Sequence, residues 1–252
     1  MSGPGRRRRS TTRALAIGSS AGGLVILSAG LLLVGLSVPK LLNAVAASTG
    51  ESVIGRLQES QPVGAQGLTR ARESLASAAR ILPSDYTAPR DLALIELIAA
   101  QRAAPDDPAR MGYLEASIDA ARQSLMNNPA QPYVWLRLSQ AELLARGVGV
   151  EAALAFTMSL ETGPQVIDLM RPRVILGLAL WPVLDDQQQE RVLAQIRGLA
   201  RYNARILAET VLDRAGLPQV RRALADEPEL MAQFLRWYLQ RRTPGLRPPG
   251  LP

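Results

Sequence analysis

The chain of 252 residues carries 29 Lys and Arg against 22 Asp and Glu, a formal net charge of +7, and contains neither cysteine nor histidine. That alphabet excludes a thiolate nucleophile, a disulfide, an imidazole base, a zinc site of the usual kind and a histidine-ligated haem. No cofactor and no metal is expected, and Lys40, the only lysine, stands at a position unsuited to Schiff-base chemistry.

The basicity is concentrated at the start. Arg6, Arg7, Arg8, Arg9 and Arg13 occur with no acid among them; with these five and Lys40 set apart, the 29 basic residues fall to 23 against 22 acidic ones. Nucleic-acid binding needs a clustered positive face that displaces counterions from phosphates. No such cluster survives downstream, so nucleic acid is not an expected partner.

Residues 1–13 therefore read as a basic cytoplasmic tail, and residues 14–39, which hold no charged side chain, as a transmembrane helix. At about 1.5 Å per residue this stretch exceeds the roughly 30 Å of a bilayer's hydrocarbon. Arginines resist translocation, which orients the N-terminus to the cytoplasm and everything after Lys40 to the other side. The competing reading is a cleaved signal peptide, since Ala44-Val45-Ala46 has the small-residue spacing of a cleavage site. An apolar run well beyond the usual 7–15 residues or so favours a retained anchor.

Residues 40–67, rich in Ala, Ser, Gly and Gln, predict a stalk, helical to about Gln58 and broken at Pro62, Gly64 and Gly67. From Leu68 apolar residues recur at helical spacing, and no segment alternates with period two. Helices are predicted near 68–82, 89–104, 109–127, 132–146, 149–162, 165–180, 186–201, 203–215, 218–226 and 228–241, giving a helical domain over 68–242 and a Pro-rich mobile tail over 243–252. Asp185 and Asp186 followed by Gln188 and Gln189 predict a capping box. Pro108 after Asp106 and Asp107 predicts another helix start.

One internal motif stands out. Trp135, Leu138, Ala152, Phe156 and Pro164 resemble the tetratricopeptide pattern of Trp, Leu, a small residue, an aromatic and a closing Pro. Ser139 and Glu142 stand where that family has Gly and Tyr, and one extra residue is needed around Gly147–Gly149. The fold class this implies is all-α: a transmembrane helix followed by an α-solenoid of antiparallel helix pairs, tetratricopeptide-like and degenerate. The likeness implies that the first helix of the pair lines a concave groove, placing Tyr133, Leu136, Gln140 and Leu143 on a partner-binding face.

The whole order, with "NPAQPYVWLRLSQAELLARG", "MSLETGP" and "GLALWPVLDDQQQERVLAQIRGLAR", resembles small anchored accessory proteins of exopolysaccharide biosynthesis and export in Gram-negative bacteria. The resemblance implies a single-pass inner-membrane protein with a periplasmic domain that binds other inner-membrane or periplasmic proteins. Its plan is also similar to that of tetratricopeptide proteins beside the secretion translocon, which implies a chaperone-like alternative. Paired carboxylates at 185/186, 106/107 and 227/229, with Trp135, Trp181 and Trp237, are what a glycan-binding or carboxylate enzyme would use. Helix capping and core packing explain these residues without a substrate, so the expectation is a non-catalytic scaffold.

Overall fold

In the computed structural model, which describes residues 13–212 and 215–242, helices alternate with short connections and no strand occurs among the described residues. The helices are α1 (Arg13–Gln58), α2 (Ala65–Ile81), α3 (Thr87–Arg102), α4 (Ala109–Asn127), α5 (Pro132–Arg146), α6 (Val150–Thr162), α7 (Ile167–Leu180), α8 (Asp186–Val211), α9 (Leu217–Ala223) and α10 (Pro228–Arg242), with a 3₁₀ turn at Trp181–Val183 between α7 and α8. Arg6, Arg7, Arg8, Arg9 and the Pro-rich end 243–252 lie outside the described residues; Arg13 opens α1.

Local chemistry sets these boundaries. Asp185 accepts the Gln188 N–H at 2.8 Å while Gln188 Oε1 accepts the Asp185 N–H at 2.9 Å, a reciprocal capping box at the start of α8. Asp107 accepts the Ala109 N–H at 2.8 Å and thereby caps α4. Pro132 opens α5, where its missing amide costs nothing, and Gly147 closes it at φ 81°, a left-handed conformation that favours glycine. The two helices expected over 186–201 and 203–215 are joined without a loop. Asn203 alone leaves helical geometry, at φ −164° and ψ 101°, and its Oδ1 accepts the N–H groups of Arg205 and Ile206 at 3.0 and 3.1 Å, recapping the chain in place.

α1 is the one candidate membrane-spanning helix among the described residues. Its apolar side chains from Val25 to Leu42 are exposed, and Pro39 lies within it. Directly beyond Leu42 the same helix joins the bundle: Asn43, Ala47, Val53 and Ile54 are buried. Residues 43–58 are therefore not a free stalk, and packing begins well before Leu68. The small residues that read as linker composition are there for close approach, with Gly50 seated directly on Leu75.

From α1 to α9 each helix packs on its neighbours in the chain, α10 packs back on α8, and α1, α3, α5 and α7 also touch one another in series. Three apolar clusters follow one another along this array: one between α1, α2 and α3 around Leu75 and Ile95, one between α3, α4 and α5 around Leu114 and Ile118, and one from α5 to α10 around Phe156, Ile196 and Phe234. A serine hydroxyl crosses each of several seams. Ser117 Oγ donates to the Ala93 carbonyl at 2.8 Å, Ser124 to Tyr86 at 2.9 Å, Ser139 to Ala152 at 2.8 Å and Ser159 to Pro132 at 2.9 Å, and Ser74 donates to Ala46. A buried hydroxyl must be paired, and a small one lets backbones approach until a neighbouring helix supplies the acceptor.

Candidate functional site

A cleft of about 650 Å³ opens on the side of the bundle formed by the odd-numbered helices. Ile54 and Gln58 of α1, Arg90, Asp91 and Leu94 of α3, Tyr133 and Arg137 of α5, the Ala130–Pro132 segment that leads into α5, and Asp168 of α7 line it. Tyr133 and Arg137 are four residues apart and so share one face of α5; Tyr133 is exposed at the rim.

The ionic arrangement inside the cleft is uneven. Arg90 donates twice to Asp91, Nε to Oδ1 at 2.8 Å and Nη2 to Oδ2 at 3.0 Å, and that pairing raises the Arg90 pKa. Asp91 is thereby spent on Arg90. Arg137, whose Nη1 donates to the Arg90 carbonyl at 3.1 Å, makes no ion pair with a carboxylate among the described residues. Burial pushes its pKa down to about 10, with the charge of Asp91 opposing the shift. It remains a cation at neutral pH, with guanidinium donors to spare.

The residues expected on the partner face divide between this cleft and the core. Tyr133 lines the cleft and Gln140 is partly buried. Leu136, 5% exposed, belongs to the cluster around Phe156, and Leu143 packs against that cluster; both turn toward the core instead of an open face. The residue that periodicity passed over is Arg137, one position beyond Leu136. An arginine inside an otherwise apolar run, "VWLRL", is the signal that would have found it.

Most of the residues of the repeat motif pack inside the bundle. Phe156 and Ala152 are buried between helices, Leu138 is buried in the middle cluster and Trp135 packs against it, its Nε1–H donating to the Pro129 carbonyl at 2.7 Å. Pro164 is exposed just beyond the end of α6. Both departures from the motif have a partner: Ser139 is a seam serine, and Glu142, 2% exposed, takes Arg122 at 2.8 Å and Arg146 at 2.5 Å. The end of α6 is capped by Arg173, fully buried and in no ion pair among the described residues. It donates to the carbonyls of Ser159 and Gly163 and to Ser159 Oγ, and burial pushes its pKa down to about 10. A cation at a helix C-terminus meets the negative end of the helix dipole.

One carboxylate of each pair has a structural task. Asp185 and Asp107 cap helices, and Glu227 pairs with Arg201 at 2.8 Å. Trp181 packs on the core and Trp237 lies under Arg205, 5.6 Å from guanidinium carbon to ring centre. A second recess, of about 450 Å³, lies between Glu161, Pro164, Arg191 and Gln195, with Glu161 and Arg191 paired at 2.8 Å. No group of three acidic side chains converges as a metal site would require among the described residues. In comparison with known proteins, no family model, no curated protein and no solved structure matches this chain.

Proposed function

We propose that the protein is a single-pass, membrane-anchored, non-catalytic adaptor whose helical pairs form a tetratricopeptide-like solenoid. Its odd-helix cleft receives a segment of a protein partner. The solenoid reading is supported by the order of helix contacts, in which α1, α3, α5 and α7 follow one another while α2, α4, α6 and α8 each pack between their chain neighbours. Pairing α5 with α6 agrees with the motif carried by Trp135, Leu138, Ala152 and Phe156.

One observation carries the functional reading: the cleft spans four successive odd helices and holds a guanidinium, Arg137, left without a carboxylate because Asp91 is committed to Arg90. Such a group accepts a carboxylate from outside, as an acidic side chain or a chain terminus, with geometry that a lysine would not reproduce. The resemblance of the sequence order supports placing the partners in an envelope polysaccharide biosynthesis or export system at the inner membrane, with the domain on the periplasmic side.

Deletion of the gene in its native host, complemented by wild type or by Arg137→Glu, tests this. Loss of surface polysaccharide on deletion, restored by wild type and not by R137E at equal abundance, is the expected result. Unchanged polysaccharide and unchanged co-purifying membrane partners on deletion would overturn the adaptor reading. Full restoration by R137E would overturn the role of the cleft. Capture of unrelated unfolded proteins at the cleft would favour the chaperone-like alternative.

A further inference from the structure

The end of the bundle from which α1 departs has a chemistry of its own. Lys40 is exposed and Asn43 is buried, and the helix between them is unbroken, so bundle and apolar segment are separated by about one turn with no flexible joint. Asn43 Nδ2 donates to Asp85 Oδ2 at 3.0 Å, which places the α2–α3 connection at this end. Asn127 Nδ2 donates to the Pro83 carbonyl at 2.8 Å, which brings the last turn of α4 to the same end.

Two large apolar side chains project from it. Ile81, the last residue of α2, is 37% exposed, and Met126, in the last turn of α4, is 78% exposed, more than any other large hydrophobic residue described. Arg80 beside them is exposed and in no ion pair among the described residues. The carboxylate at this end, Asp85, is turned inward to Thr87 and Asn43. The edge therefore shows apolar tips and cations, with its acid withdrawn. This combination suits an interface of anionic headgroups over hydrocarbon.

We propose that this edge rests on the bilayer leaflet into which α1 passes, Ile81 and Met126 entering the boundary between headgroups and acyl chains while Lys40 and Arg80 meet lipid phosphates. The domain is then held in one orientation to the membrane, its cleft at a fixed height. The inference rests on α1 crossing a membrane, and the test separates the two claims.

Because the chain has no cysteine, single cysteines give unambiguous labelling sites. Leu33→Cys lies in the apolar segment, Met126→Cys on the proposed contact edge, and Val150→Cys at the opposite end, where α6 begins with a side chain 74% exposed. Each full-length variant carries an environment-sensitive fluorophore in vesicles of phosphatidylethanolamine and phosphatidylglycerol, with or without brominated acyl chains. The expected result is strong quenching at position 33, partial quenching at position 126 for a group at the acyl boundary, and none at position 150. Quenching at 33 with 126 as unaffected as 150 would overturn the docked edge and leave the span standing. No quenching at 33 would overturn both.

Discussion

Gly50 decides whether α1 belongs to the domain or merely precedes it. A methyl group added there would lie 2.3 Å from Leu75 Cγ and 2.6 Å from Cδ2, and Leu75, fully buried, has no room to retreat. Overpacking of this kind costs about 1–3 kcal/mol, against which alanine gains about 1 kcal/mol over glycine in a helix interior. Gly50→Ala should therefore lose about 1 kcal/mol net. Gly55, one turn on, has nothing within 4 Å of an added methyl, so Gly55→Ala should keep the whole propensity gain. The two variants should differ by about 2 kcal/mol, roughly a 30-fold difference in the opening equilibrium of the segment. Hydrogen exchange of the amides of residues 44–57, in full-length protein held in lipid nanodiscs, reads that equilibrium directly. Protection in G50A equal to that in G55A would refute the seating of α1 on α2.

Other expectations follow from single bonds. Ser139→Ala removes the hydroxyl that crosses from α5 to the Ala152 carbonyl and should cost about 1 kcal/mol in urea unfolding followed by tryptophan fluorescence; an unchanged midpoint would argue against the seam. Burial pushes the Asp85 pKa up, but hydrogen bonds from Thr87, Asn43 and the Ala88 N–H outweigh it and hold the carboxyl below its ordinary 3.8. A depressed carboxyl stabilises the fold fully above that ordinary value, and the contribution is lost as pH falls through the lower native one. Asp85→Ala should thus be less stable by about 1 kcal/mol at neutral pH, with the difference from wild type vanishing in acid. A difference that grows on acidification would contradict the stabilising role of these hydrogen bonds.

Helix positions were legible because apolar periodicity and terminal signals agree here. The boundaries of α4 and α5 coincide with the predicted 109–127 and 132–146, and the Asp185–Gln188 box could be read directly from residue spacing. Residues 43–58 were harder. Alanine, serine and glycine are the composition of a linker and equally of a helix packed at close range, and only the partner surface, Leu75, distinguishes the two. The cleft was half visible. Tyr133 was placed through the repeat motif, whereas Arg137 gains its meaning from Arg90 and Asp91 on another helix, 47 residues earlier in the case of the Arg90 carbonyl. The serine seams and the Arg173 cap share that difficulty, since most of their hydrogen-bonding partners are backbone carbonyls, which leave no trace in residue identity.

The central claim, an embedded α1 that carries the helical domain on the far side of the membrane, is tested most directly by labelling Val150→Cys with a membrane-impermeant maleimide. The substrate is intact spheroplasts of a Gram-negative host. This sole thiol should be labelled as fully before lysis as after it, on a full-length species that stays with the membrane pellet. Labelling only after lysis, or on a shortened species released to the supernatant, would contradict the claim.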